Sequence, residues 1–288
     1  MVSVKRFIHD EPLLFKGAQK FVQMFSRVED PVMCVASQCK SIDSKIAWCI
    51  LGTALFQDIS YFELQRLLQA LYAKFPEEKL WTLPVPRGGE IEKIVENVLG
   101  CRTWSLFPHV SGIFWSVGLF VRHHENLAEW LRSRTPEGLW RDLGEIYFMG
   151  KHNPRPKACA AIYRFLAPTP MGLGLKVAQP LSSTPRSLPS TSLSTKLPPL
   201  PLTMGARRFL AILGPAKDDC FADLAPEAKQ KMASEIYEAL APKNPYTAAH
   251  ALQFFLEQGE SDFICREVTD HCAQCPLFEF CSYGEARG

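Results

Sequence analysis

The chain has 288 residues, a formal net charge of +2 and 47% apolar residues. This is the composition of a globular protein with a real core, large enough for one large domain or two modest ones. The charge does not by itself indicate a nucleic-acid partner, but a basic patch can lie within a nearly neutral total.

The sequence shows no membrane segment and no secretory signal. The longest apolar stretch, Val110 to Val121, is too short to span a bilayer and predicts a buried helix. The first residues lack the apolar run and cleavage site of a signal peptide. We therefore expect a cytoplasmic monomer without a membrane partner. In that reducing compartment, the cysteines outside the C-terminal region are expected to be small buried residues, not disulfides: Cys34, Cys39, Cys49, Cys101, Cys159 and Cys220.

Helical periodicity dominates the chain. Within residues 62–72, leucines recur on one helical face. A second helix is predicted over 226–240, and a third over 246–258 with Gly259 as its C-terminal cap. Strand alternation and hairpin turn signatures are absent from the sequence. These patterns predict an all-α fold.

One segment differs in composition from the rest. Residues 177–201 are rich in Ser, Thr and Pro and contain no aromatic residue and no carboxylate. Such a sequence buries too little apolar surface to offset the entropy of ordering. It predicts a disordered insertion between a helical block at 44–168 and a second block that begins at 202.

The C-terminal block ends in a cysteine cassette, formed by Cys265, Cys272, Cys275 and Cys281. Four thiolates on one short segment can surround a single metal centre, and soft sulfur ligands select zinc, copper(I) or an iron–sulfur cluster. Structural zinc sites usually join two close cysteine pairs, whereas here only the middle two cysteines are close. The wider outer loops favour a [4Fe–4S] cluster, and zinc is the alternative.

The cassette, placed at the end of a helical chain, resembles that of the endonuclease III family of helix-hairpin-helix DNA glycosylases. Four further segments are similar to this family in the same order: Ala47–Asp58, Val95–Val110, Gly150–Ala161 and Thr203–Gly214.

The resemblance implies two helical domains with DNA bound in the groove between them. A six-helix barrel with the helix-hairpin-helix would comprise residues 44–168. An iron–sulfur cluster domain would combine residues 1–43 with 202–288. A base inside a duplex cannot be reached, so the substrate nucleotide would be flipped out of damaged or abasic duplex DNA.

The resemblance also implies roles for individual residues. Gln57 would fill the gap left by the flipped base, and Gly150 would begin the hairpin, which departs from the family pattern through its prolines. Positive charges would contact the DNA backbone. The residues expected on the DNA face are Gln57, Gly150, Lys151, Arg155, Arg207 and Arg208.

Lys157 matches the lysine that attacks the sugar C1′ and forms a Schiff base in bifunctional members of the family. An ordinary phosphate-contacting or surface lysine is the alternative. The catalytic aspartate of the family has no counterpart, because Thr203 or Met204 occupies its position, and Asp218 and Asp219 come well after it.

Three functions therefore stay open. The first is a divergent base-excision repair N-glycosylase or abasic-site lyase. The second is a catalytically inactive DNA-binding [4Fe–4S] protein. The third is an iron–sulfur protein that acts on another partner such as RNA.

Overall fold

A computed structural model of the chain describes residues 4–81, 88–100, 104–150, 156–169, 171–177, 202–216, 223–253, 255 and 275–280. Within these ranges every regular element is a helix and no strand occurs, so the predicted all-α class is confirmed. The α-helices are α1 (Val4–Asp10), α2 (Pro12–Phe25), α3 (Pro31–Ala36), α4 (Ile42–Leu55), α5 (Tyr61–Lys74), α6 (Gly88–Leu99), α7 (Val110–His124), α8 (Leu127–Ser133), α9 (Pro136–Leu143), α10 (Pro156–Leu166), α11 (Met204–Ile212), α12 (Pro226–Leu240) and α13 (Pro245–Leu252). Short 3₁₀ turns lie at Glu77–Leu80, Phe107–His109 and Phe278–Phe280.

Local sequence signals explain where several helices begin. Ser60 and Glu63 form a reciprocal capping box at the start of α5, and Ser41 and Thr135 cap α4 and α9 through their hydroxyl oxygens. The helices predicted over 62–72 and 226–240 are confirmed as α5 and α12. The third predicted helix is confirmed up to Leu252, where α13 ends, and residues 256–259 of that prediction lie outside the described ranges.

The first hydrophobic cluster is built around α4, which lies against α3, α5, α7, α8 and α10. α4 is apolar around most of its circumference and is buried from Ile46 to Leu55, as expected of a central core helix. Gly52 permits the close crossing with α3, since a Cβ there would lie 2.9 Å from both methyl groups of Val32. α4 therefore provides a rigid support for the loop that follows its C-terminal end.

The second hydrophobic cluster joins both ends of the chain. Apolar residues of α1 and α2 pack with those of α11, α12 and α13, and Leu277 is buried in the same cluster. α3 belongs instead to the first cluster. The division into a six-helix barrel domain and a cluster-binding domain stays a prediction, and residues 178–201 of the predicted insertion lie outside the described ranges.

A buried ion pair fixes α10 against α3 and α4. The Asp30 carboxylate caps α3 by accepting from the backbone of Val32 at 2.8 Å. It also accepts from Arg164 of α10 at 2.9 and 3.0 Å, and the two side chains are 0% and 3% exposed. Arg164 donates in addition to Thr53 of α4 at 3.2 Å. The position of α10, and of Lys157 on it, thus depends on this network.

α7 contains the longest apolar stretch of the sequence. Ile113, Phe114 and Val117 are buried as predicted. Trp115 and Leu119 are not, being 54% and 46% exposed, because they lie on the face of α7 that points away from α4. Among the described helices, none combines the length and the apolar character needed to cross a membrane.

Candidate functional site around Lys157

Lys157 lies in the first turn of α10 and reaches the end of α4. Its Nζ donates a hydrogen bond of 2.7 Å to the carbonyl oxygen of Ala54. Ala54 is the second-last residue of α4, where helix carbonyls have no partner within the helix. The amine therefore stabilises the end of α4, and the same contact holds it in one place.

The surroundings of Lys157 favour the neutral amine. Burial lowers the pKa of Lys157 from 10.5 to about 8, and the charge of Asp58 opposes this shift. The Nζ also lies over the Phe148 ring, 5.7 Å from its centre, and this cation–π contact favours the protonated amine, so it too opposes the shift. With a pKa of about 8, Lys157 is a free amine in about a quarter of the molecules at pH 7.5, whereas an ordinary lysine is a free amine in about one molecule in a thousand.

The loop between α4 and α5 brings Gln57 and Asp58 to the same place. The carbonyl of Gln57 accepts from the indole of Trp104 at 2.6 Å, and the Asp58 carboxylate accepts from the hydroxyl of Ser105 at 2.5 Å. Asp58 has a φ of 55°, which is uncommon outside glycine but tolerated by aspartate. The structure therefore brings together Lys157 and the loop of Gln57, two sites predicted from distant parts of the sequence.

An aromatic group adjoins the Lys157 site. Tyr147 is 40% exposed, and its hydroxyl lies 3.1 Å from Nδ1 of His109. The His109 and Phe148 rings are tilted against each other with centres 4.8 Å apart. Phe148 has a φ of 66°, a strained conformation for a non-glycine residue. These three residues could not be selected from the sequence, since no spacing signal connects them.

The predicted DNA-binding residues divide into two places. Gly150 has a φ of 96°, which glycine adopts readily, at the start of the predicted hairpin. Lys151 and Arg155 lie outside the described residues. Arg207 is exposed and Arg208 half-buried on α11, which packs against α12 and α13 of the second cluster.

Thr203, which the resemblance aligns with the family's catalytic aspartate, is a helix cap. The Thr203 hydroxyl oxygen accepts a hydrogen bond of 3.2 Å from the backbone of Ala206 and begins α11. Threonine caps a helix much as aspartate does, but its hydroxyl carries no negative charge near neutral pH. Asp218 and Asp219 lie outside the described residues.

Of the cysteine cassette, the structure describes Cys275. This residue is half-buried and packs against the second cluster. The segment behind it rests on α2 at Gly17, where a Cβ would lie 2.9 Å from the carbonyl oxygen of Pro276 and 3.2 Å from Leu277. Cys275 is thus attached to the fold by its own neighbours in sequence.

The other three cassette cysteines, Cys265, Cys272 and Cys281, lie outside the described residues. Among the described residues, no group of three or more His, Cys, Asp or Glu side chains could hold a metal ion. The donor set of four thiolates fits an iron–sulfur cluster by its chemistry, and the firm docking of Cys275 suits a fixed ligand.

The remaining described cysteines have the character of core residues. Burial raises the pKa of Cys39 and of Cys159 to about 12, and it raises the pKa of Cys49 as well. Cys34 is half-buried, and its pKa is also raised, chiefly by burial. Thiols with raised pKa values are poor nucleophiles and poor metal ligands. Cys101 and Cys220 lie outside the described residues.

Comparison of the chain with protein-family models, with curated proteins and with solved structures gave no match.

Proposed function

We propose that this chain is a DNA base-excision repair protein, an endonuclease III-like N-glycosylase and abasic-site lyase on damaged duplex DNA, with Lys157 as the nucleophile. The observation that carries the proposal is the placement of Lys157. Its amine is held at 2.7 Å from the Ala54 carbonyl, beside the Gln57 loop, and burial lowers its pKa to about 8. A lysine that reacts with a carbonyl carbon must be neutral, and desolvation is a common way to achieve this.

The chemistry follows from the neutral amine. At an abasic site the ring-opened sugar presents an aldehyde at C1′. The Lys157 amine adds to this carbon, the adduct takes up one proton from solvent and loses one water, and a cationic Schiff base forms. Loss of a proton from C2′ then breaks the bond between C3′ and its oxygen, which releases the phosphate-ended strand. Hydrolysis of the Schiff base restores the lysine.

The surroundings of Lys157 suit this chemistry in two ways. The hydrogen bond to Ala54 fixes one N–H and thereby limits the directions available to the lone pair. Burial of the Lys157 side chain reduces access of water to the amine. Gln57, half-buried on the adjoining loop, is the residue that would fill the duplex after a nucleotide is flipped.

The cassette cysteines would hold a [4Fe–4S] cluster, which when bound would cross-link the C-terminal segment and keep it folded against the second hydrophobic cluster. Cys275 and the docking of its segment at Gly17 support this arrangement. A reducing compartment keeps such thiolates available, so we place the protein in the cytoplasm.

Duplex DNA would be held as by other proteins that contact the phosphate backbone. The cationic side chains proposed for these contacts are Lys151, Arg155, Arg207 and Arg208. A monomer suffices for this function, since the nucleophile and the cluster ligands come from one chain.

A second function, DNA binding without catalysis, is favoured by one observation. The carboxylate position of the family carries Thr203, which acts as a helix cap. A [4Fe–4S] protein of this kind would bind duplex DNA, or RNA, and leave its sugar–phosphate backbone intact.

Borohydride trapping on abasic-site duplex distinguishes the two functions. The unaltered protein is expected to form a reduced covalent adduct and to nick the strand, and Lys157→Ala to do neither. Lys231→Ala is the matched control, because Lys231 is 69% exposed on α12 and should leave both reactions unchanged. Salt-sensitive binding of the duplex without any adduct would support the binding function instead.

A further inference from the structure

A carboxylate does lie near Lys157, although not at the position where the sequence resemblance places one. We infer that Asp58, on the loop that follows α4, is the carboxylate that works with Lys157 in place of the aspartate missing at residue 203. The inference rests on the proposed function, which supplies the reaction. It assigns to Asp58 a role as a positioning residue that acts through the charge of the Lys157 nitrogen.

The geometry of the α4 terminus brings the two groups together. The Ala54 carbonyl fixes the Lys157 nitrogen at the end of α4, and Asp58 follows Ala54 by four residues. α4 itself ends at Leu55, and the left-handed backbone at Asp58, with φ of 55°, lies in the loop that follows. The Lys157 nitrogen and the loop of Asp58 therefore both lie at the C-terminal end of α4.

The Asp58 carboxylate is anchored by a hydrogen bond from another segment of the chain. The Ser105 hydroxyl donates to one carboxylate oxygen of Asp58, Oδ2, at 2.5 Å. The indole of Trp104, itself 4% exposed, donates to the carbonyl of the preceding residue, Gln57, at 2.6 Å. Gln57 and Asp58 are thus hydrogen-bonded to two consecutive residues of another segment, Trp104 and Ser105. A loop held this way presents its charge in a fixed place.

The charge of Asp58 acts on the Lys157 nitrogen. Burial lowers the pKa of Lys157, and Asp58 is the one charged group that acts on it in the described part of the chain. α4 and α9 make the most extensive contacts with α10, and no charged group of either helix acts on the pKa of Lys157. Those groups are Asp43, Lys45, Glu137, Arg141 and Asp142. On α10 itself, Arg164 is neutralised by Asp30.

The expected consequence concerns the Schiff base. Condensation of the neutral Lys157 amine with the C1′ aldehyde takes up one proton from solvent, releases water and leaves a positive charge on the nitrogen. A fixed carboxylate nearby stabilises this cation before the C2′ proton and the C3′ oxygen depart. The same carboxylate also stabilises the protonated, unreactive lysine, so Asp58 has opposite effects at low and at high pH.

The test compares the pH profile of single-turnover trapping and nicking for the full-length holoprotein on abasic-site duplex. In Asp58→Asn the midpoint should move to lower pH, because removal of the negative charge lowers the pKa of Lys157. The plateau at alkaline pH should fall by about tenfold or more, because the cation loses its stabilisation. Asp58→Glu should restore the midpoint and most of the plateau. Glu238→Gln, an exposed carboxylate change on α12, is the control.

An unchanged pH profile in Asp58→Asn overturns the inference. A loss of activity that is equal at all pH values, with the midpoint unchanged, also overturns it, because that result indicates a purely structural role. A second measurement does not depend on activity. Reductive ¹³C-methylation of the lysines allows the pKa of Lys157 to be followed by NMR, and it should be lower in Asp58→Asn. If the unaltered protein forms no adduct at all, the proposed function is overturned, and this NMR shift alone decides whether Asp58 acts on Lys157.

Discussion

Replacing Arg164 by methionine is predicted to destabilise the fold strongly, because it leaves a carboxylate buried without its partner. Asp30 is 0% exposed and accepts two hydrogen bonds from Arg164. Removing one member of a buried ion pair typically costs about 3–5 kcal/mol. Since whole domains are stable by only about 5–15 kcal/mol, Arg164→Met should greatly lower the free energy of unfolding.

The companion variants test the reason for this loss. Asp30→Asn should also destabilise, because it leaves the Arg164 guanidinium buried, although asparagine can still cap α3. The double variant should be clearly more stable than the sum of the two losses predicts, since neither charge is then present. Arg132→Met, an exposed change on α8, is the control.

Urea unfolding followed by circular dichroism provides the free energies, with the slope against urea checked for constancy. The same variants should nick abasic-site DNA more slowly, because α10 carries Lys157. A loss below about 1 kcal/mol in Arg164→Met, or strict additivity in the double variant, would refute the role given to this pair.

Three further predictions concern other parts of the molecule. His250 is buried with Nε2 at 2.6 Å from the Val28 carbonyl, and burial lowers its pKa below 6.5. The free energy of unfolding should therefore fall as the pH drops below about 6.5, because the unfolded chain binds the proton more readily. In His250→Gln the urea midpoint should lose most of this pH dependence, and an equal fall in that variant would contradict the prediction. Gly17→Val should displace the segment that carries Cys275 from α2 and so reduce the iron content of the purified protein. Gly89→Ala is the control, because this helical glycine has open space around it. A normal iron content in Gly17→Val would disprove the docking of the Cys275 segment on α2. Thr203→Asp should keep the cap of α11, so that the free energy of unfolding changes by less than about 0.5 kcal/mol. The same variant should increase strand nicking if residue 203 faces the substrate. A large loss of stability would contradict the capping role of Thr203.

Much of the helical framework was predictable from local signals. The leucine spacing of 62–72 and the Pro226 start of α12 each lie within a few residues of the sequence, where periodicity and capping act. The end of α13 was predicted too late because tertiary contacts decide it. Gln253 hydrogen-bonds with Tyr61 at 2.9 Å and with His250 at 3.0 Å, contacts that cannot be read from the sequence.

The candidate site was predictable only in part, for the same reason. The resemblance selected Lys157 and Gln57 separately, but the contact that brings them together spans 103 residues of sequence, from Lys157 to Ala54. Asp58 follows Gln57 in the segment Ala47–Asp58, but the sequence indicates no role for it, because its effect depends on where α10 places Lys157. The exposure of Trp115 was likewise unpredictable, since an apolar helix does not indicate which face lacks a neighbour.

The most direct test of the proposed function is to identify the residue that carries the trapped DNA. After borohydride reduction on abasic-site duplex, the protein is digested and the cross-linked peptide is sequenced by mass spectrometry. The modification is expected on Lys157, and Lys157→Arg, which keeps a positive charge but has no nucleophilic amine, is expected to form no adduct. An adduct on a different lysine or on the N-terminal amine, undiminished in Lys157→Arg, would contradict this expectation.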